Sequence, residues 1–278
     1  MFIKKTIAQL NATLKDVTST DVPCDFYRAR LGADLKLDSL LELFKLPLLE
    51  WSDVARTPYQ ERLFHNADRH LAKIIHRTPP ALIARMYDDI SKEPVTLTGS
   101  RPLVACTTTA ETVQWSTWWH THDILPLTGE ESMRFTALTA ATYEVDSVLA
   151  DTTTLTRLLP ALSAEYDMKR IGSVHVLDTD FTGAENVLEQ YGLRDRTRWY
   201  LTPPEVGITA MRSNSEMFEA APTVMVESVD GELVVTTLIP LPLPLIRYRT
   251  GIRIEPVTLH DDGRVETFIL NRTKEKRG

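Results

Sequence analysis

Cysteine is scarce in this chain: two among 278 residues, Cys24 and Cys106. They lie far apart and match no metal-ligand spacing. That excludes a disulfide framework and a cysteine-built zinc site, and it suits a reducing compartment. Long hydrophobic runs are also missing. No apolar stretch approaches membrane-spanning length, and the opening residues carry Lys4 and Lys5 but no signal-type apolar core. Positive charge is in deficit, with 31 Lys and Arg against 38 Asp and Glu, a net charge of −7. That argues against a broad nucleic-acid surface, and the short basic tail NRTKEKRG reads as a solvated end. These absences predict a soluble, cytoplasmic protein with neither nucleic acid nor membrane as partner. What is present is ordinary globular composition, 43% hydrophobic and 25% charged, enough for one large domain or two small ones.

Along the chain, the pattern predicts a helical N-terminal region over residues 1–92. Residues 1–20 are weakly patterned, and Asp25 to Leu31 reads as a short helix. Leu37, Leu40, Leu41 and Phe44 recur at helical spacing until Leu46-Pro47, and Ser52 can cap the next turn. Tyr59 to Ile75 and Ala81 to Ile90 read as two further helices. An α/β core is expected over 93–229. There Trp115, Trp118 and Trp119 form a helical stripe, and His120 and His122 form an HxH pair without an identifiable third ligand. Val145 to Leu149 reads as a strand. Leu155, Leu158, Leu159 and Leu162 follow as an amphipathic helix, capped by Asp151 or a neighbouring Thr, that Pro160 interrupts or kinks. Lys169 to Leu177 is a buried-strand candidate and Ala184 to Gln190 a helix after it. This strand–helix rhythm argues for a parallel sheet covered by helices, with ligands at the carboxyl ends of its strands. A β-rich subdomain is expected over 230–278, with a hairpin turn at Asp230-Gly231 and another at Asp261-Asp262-Gly263.

The most specific stretch is 230–252, DGELVVTTLIPLPLPLIRYRTGI. A β-branched strand gives way to prolines at 240, 242 and 244, which deny a ladder donor every second residue. Arg247 and Arg249 then sit at i and i+2. In an extended chain they share one face, where two guanidinium groups suit a phosphate or carboxylate. The competing reading is an edge strand with a solvated basic face.

GELVVTTL followed by PLIRYRTG resembles the corresponding segment of adenylate-forming acyl ligases, most closely the phenylacetate–coenzyme A ligase and acyl-protein synthetase branch. The resemblance runs in collinear order over nearly the whole chain, from Phe26-Tyr-Arg-Ala-Arg30 and Lys45-Leu-Pro47 onward. It implies an α/β fold of mixed sheet layers covered by helices plus a small C-terminal β region, as in the family's large N-terminal domain. Thr96-Leu-Thr-Gly-Ser-Arg-Pro102 is similar to the phosphate loop, so Thr98 and Ser100 would offer hydroxyls and Arg101 would stand in the lysine's place. Phe181-Thr-Gly-Ala-Glu185 resembles the phrase beside adenine, with Gly183 and Ala184 flanking the base. Trp199 to Gly207 resembles the Tyr-Gly-x-Thr-Glu segment. Tyr200 would stack on adenine, Thr202 touch phosphate and Glu205 serve Mg²⁺. Arg247 and Arg249 would face phosphate.

The chain departs from the pattern at several points. Leu97 stands where a glycine is expected, Leu201 replaces another, and Pro203-Pro204 separates Thr202 from Glu205. Ile252 occupies the position of the Asp that holds ribose hydroxyls in the family. No counterpart is expected of the small lid domain that carries a catalytic lysine in these ligases. The leading expectation is therefore a degenerate, non-catalytic homologue acting as a binding or assembly component in a biosynthetic pathway. One alternative is ATP-dependent carboxylate activation, with ATP/AMP and Mg²⁺ as cofactors, a small aromatic or fatty acid as substrate, and Arg101, Glu205 and Arg249 as catalytic groups. The other is an unrelated small-molecule enzyme on this fold. Expected partners are a small carboxylate or acyl ligand, a protein or carrier protein, and a second copy in a homodimer.

Overall fold

The computed structural model describes residues 2–19, 25–57, 71–76, 82–86, 100–107, 125–128, 133–238 and 244–271. Its contacts form two compact units. The first takes Met1–Pro94, Pro204–Thr209 and Met217–Gly278, and the second Val95–Pro203 and Ala210–Glu216.

The weakly patterned start is a long helix, α1 (Phe2–Thr18). Its buried stripe includes Leu10, Leu14 and Val17 but also Thr6 and Thr13. Those two threonines blur the apolar periodicity and hide the helix from a hydropathy reading. Thr18 Oγ1 donates back to the Leu14 carbonyl at 2.8 Å and accepts from Leu35 N–H at 3.0 Å, tying the helix end to the next segment. Three short helices follow: α2 (Asp25–Leu31), α3 (Leu40–Leu43) and α4 (Trp51–Arg56). The cap of α4 is Glu50, not Ser52. Glu50 and Asp53 bond reciprocally as a capping box, satisfying donors that Ser52, already inside the helix, cannot reach.

The helices expected over Tyr59 to Ile75 and Ala81 to Ile90 are corrected where the chain is described. Leu71–His76 (β1) and Leu82–Met86 (β2) pair antiparallel, with Ile74 opposite Ala84 and Ile75 opposite Ile83. β-Branched Ile74, Ile75 and Ile83 favour this, and Pro79-Pro80 between the runs denies a continuing helix its donors.

The main sheet of the first unit contains β9 (Phe218–Ala220), β10 (Val224–Val229), β11 (Glu232–Thr237), β12 (Tyr248–Leu259) and β13 (Val265–Leu270), in the order β10-β11-β12-β13-β9. The β10–β11 hairpin turns at Asp230 and Gly231 as expected, both with positive φ (54° and 74°), which a two-residue primed turn requires. Leu49 joins β12 by a parallel bridge to Tyr248: Leu49 N–H donates to the Arg247 carbonyl at 2.8 Å, and Arg249 N–H to the Leu49 carbonyl at 2.9 Å. The Lys45-Leu-Pro47 phrase and the arginine segment, distant in sequence, are thus neighbours in space.

In the second unit, β4 (Leu125–Thr128), β3 (Pro102–Cys106), β5 (Ser147–Ala150), β6 (Ser173–Asp178) and β7 (Thr197–Leu201) run parallel in that spatial order, and β8 (Ala210–Arg212) pairs antiparallel with β7. Every residue of β3 and β5 is buried. That is the signature of a parallel sheet covered on both faces. The helices are α5 (Met133–Thr142), α6 (Thr152–Glu165) and α7 (Thr182–Gln190). Leu155, Leu158, Leu159 and Leu162 are the buried stripe of α6. Pro160 does not interrupt it. The residue lies on the exposed side, where a carbonyl that has lost its donor can be hydrated.

Candidate functional site

The parallel strands of the second unit give it two chemically distinct edges. At the amino edge, the chain entering β3 meets the chain entering β5. Ser100 N–H and hydroxyl both donate to Asp146 Oδ2 at 2.8 Å, and Arg101 N–H donates to Asp146 Oδ1 at 3.0 Å. Burial would raise the Asp146 carboxyl, but these bonds outweigh it and hold it below its usual range. The Arg101 guanidinium pairs with Glu144 at 2.9 Å. Its hydrogen bond and charge, with help from Arg170, hold that carboxyl below the usual range too. Ser100 and Arg101 therefore sit at the edge away from the strand carboxyl ends, and the Ser100 donors, the Arg101 amide and one Arg101 guanidinium nitrogen are paired with carboxylates. They are not placed as a phosphate loop. Thr98 lies outside the described residues, as do Trp115, Trp118, Trp119, His120 and His122.

The carboxyl edge gathers Thr107 after β3, Asp151 and Thr152 after β5, Asp178 at the end of β6 with Asp180 and Thr182 after it, and Thr202 after β7. Asp151 caps α6 by accepting from Thr154 N–H at 2.7 Å. It also accepts from the Thr107 hydroxyl at 2.9 Å and from the Thr107 amide. Asp178 accepts from Thr152 N–H at 3.0 Å and Thr179 N–H at 2.7 Å, and its carbonyl accepts from Thr202 N–H at 2.9 Å. Asp180 takes the Thr182 amide at 3.0 Å and hydroxyl at 2.7 Å. The result is an edge of threonine hydroxyls and carboxylate acceptors at the starts of two helices. Among the expected residues, Gly183, Ala184 and Thr202 belong here. Of the acidic members, the sequence reading names Asp151, as a helix cap, but not Asp178 or Asp180, although an Asp directly after a buried apolar run (V-L-D-T-D) was the available signal.

Gly183 is corrected in role. A Cβ built there would meet the Thr156 methyl at 3.2 Å and the Thr152 methyl at 3.4 Å. The glycine lets α7 approach α6 closely, so the space a base was expected to use is filled. Ala184 beside it is fully buried. Tyr200 is corrected as well. Only 1% exposed, it is no stacking platform. Its hydroxyl lies 3.1 Å from His175 Nδ1, and the two rings stack at 5.8 Å. Burial pushes Tyr200 up to about 12 and, with the Arg198 charge, pushes His175 down to about 4.

Glu205, Arg247 and Arg249 belong to the first unit. Glu205 is 1% exposed, and among the described residues no three His, Cys, Asp or Glu side chains form a metal-binding group. The shared arginine face is also corrected. Arg247 has a positive φ of 53° and precedes β12, so the strand alternation that would align it with Arg249 does not apply. Its Nε donates to both oxygens of Glu227 at 3.2 and 3.1 Å, and NH2 pairs there at 3.0 Å. Burial raises Glu227, and the guanidinium pulls it back. Arg249 donates to Glu232 at 2.9 Å, with Glu50 at 3.8 Å, beside a cleft of about 520 Å³. Each arginine thus has its own carboxylate, and neither presents an open anion site. Ile252, in β12, donates its N–H to Thr250 Oγ1 at 3.2 Å.

No protein-family model matches this chain, and no curated protein matches its sequence. Solved structures do match its fold. A 2-hydroxyisobutyryl-CoA ligase in a postadenylation state with an acyl-AMP superposes with a TM-score of 0.73 at 11% identity, over 96% of this chain and 66% of the ligase. O-succinylbenzoate coenzyme A synthetase from Bacillus subtilis gives 0.51 at 11% identity, over 74% of this chain and 50% of the synthetase. An amide bond synthetase from Marinactinospora thermotolerans gives 0.50 at 14% identity, over 76% of this chain and 50% of that protein. The architecture is that of the large N-terminal domain of adenylate-forming ligases, mixed α/β with sheets covered by helices. The likeness is one of fold, and it singles out no branch of these ligases. This chain spans about two thirds of the length of the hydroxyisobutyryl-CoA ligase.

Proposed function

We propose that this chain activates a small carboxylate with ATP, as the ligases sharing its fold do. The observation carrying this reading is the superposition of 96% of the chain on a ligase holding an acyl-adenylate. In the reaction, a carboxylate oxygen attacks the α-phosphorus of ATP, the acyl–phosphate bond forms, and pyrophosphate leaves with the displaced electron pair. The nucleotide is proposed to sit at the carboxyl edge of β3, β5, β6 and β7, where ligands of such sheets collect. That edge is rich in acceptors, so it suits the ribose hydroxyls better than the phosphates. Asp180, exposed beside Thr182, is the proposed acceptor in place of the family's Asp, whose position here holds Ile252. No residue described here is assigned to the triphosphate, and no step is routed through Mg²⁺.

Calorimetric titration with ATP and with 2′,3′-dideoxy-ATP tests the placement. ATP is expected to bind at least tenfold more tightly, and equal affinity would contradict the hydroxyl-acceptor edge. A second reading, a non-catalytic binding component, is favoured by the internal pairing of Arg247 and Arg249. It predicts binding without turnover. A carrier-protein acceptor, a homodimer and a cytoplasmic setting go with either reading as proposals.

A further inference from the structure

We infer that the first unit carries a binding chamber for a small, uncharged, mainly apolar molecule. β10 ends the order of that unit's sheet, and beside it opens a cavity of about 530 Å³. The volume lies within the roughly 300–1,000 Å³ of small-molecule sites. Ala221, Val224, Met225, Val226, Leu238 and Val265 form its apolar wall. Successive residues of β10 take part although their side chains point to opposite faces, so the strand's edge itself borders the chamber.

Among the described residues, His260, Arg264 and Glu266 are the charged or titratable groups at the rim. His260 Nε2 lies 2.8 Å from Glu266 Oε2, and Arg264 Nε donates to Asp262 Oδ2 at 2.8 Å. Arg264 and Glu266 each have a hydrogen-bond partner within the protein, as Arg247 and Arg249 do. A carboxylate or ammonium entering the rim would be desolvated without gaining an unmatched partner. A neutral molecule with one hydrogen-bonding group avoids that penalty and covers the apolar wall. A medium-chain alcohol has the required chemistry.

The chamber stands apart from the ATP-dependent reading, because binding is measured without nucleotide. The probe is N-phenyl-1-naphthylamine, an uncharged dye that fluoresces in apolar sites, added to the full chain at pH 7. The dye is expected to bind, and 1-decanol to displace it at a concentration at least tenfold below decanoate or decylamine. Ala220→Phe and Val224→Phe, which fill the chamber, should each weaken dye binding at least tenfold while keeping the far-UV spectrum. Absence of dye binding, equal displacement by the three head groups, or a folded variant binding the dye as wild type would overturn the inference. Should neither variant fold, the ranking of head groups on the native chain decides.

Discussion

The Tyr200 hydroxyl and His175 Nδ1 lie 3.1 Å apart inside the second unit, on neighbouring parallel strands. With Tyr200 at about 12 and His175 at about 4, both are neutral at pH 7. Tyr200→Phe leaves a buried ring nitrogen without its partner. The expected cost is about 1–3 kcal/mol in urea unfolding, with no change in ATP affinity. A loss of ATP affinity in a variant of wild-type stability would restore the adenine-stacking role.

His175 also makes stability depend on pH. Its folded pKa is depressed from 6.5 to about 4, so between those values the unfolded chain binds a proton that the native chain does not. Stability is expected to fall as pH drops from about 6.5 to about 4, by roughly 3 kcal/mol from this group. His175→Gln should flatten that window relative to wild type in urea midpoints taken across it. An unchanged slope would show that His175 is protonated in the native fold.

Arg247 and Glu227 are an ion pair that is costly to break. Arg247→Ala strands a buried carboxylate and should destabilise by about 3–5 kcal/mol, whereas the double change Arg247→Met with Glu227→Leu should recover most of that loss. Arg249→Ala, at a partly buried pair, should cost less, about 1–3 kcal/mol. Chemical denaturation of the four proteins measures the contrast.

Gly183 is expected to act through packing. Gly183→Val pushes branched carbons into the Thr152 and Thr156 methyls and should cost about 1–3 kcal/mol. The variant's remaining folded fraction should bind ATP normally by calorimetry.

Much of the fold was legible because local chemistry and tertiary context agree. Asp151 before a leucine stripe is a helix start, and Asp230-Gly231 between β-branched runs is a hairpin. The misreadings have physical causes. Thr6 and Thr13 broke the apolar period of α1, and Leu71 to His76 carries an apolar pattern that suits either helix or strand. The site was harder. Whether a phrase lies at the amino or carboxyl edge of a sheet depends on strand direction, which Thr96 to Pro102 does not encode. Likewise, no local pattern reveals that Glu227, twenty residues away, takes the Arg247 guanidinium.

Carboxylate activation itself is tested most directly by ATP–pyrophosphate exchange with the full chain and a panel of aromatic and fatty acids. The account predicts exchange that depends on at least one acid and survives Ser100→Ala and Arg101→Ala, because those residues sit at the amino edge. Absence of exchange with every acid, together with no heat on ATP addition, would contradict it.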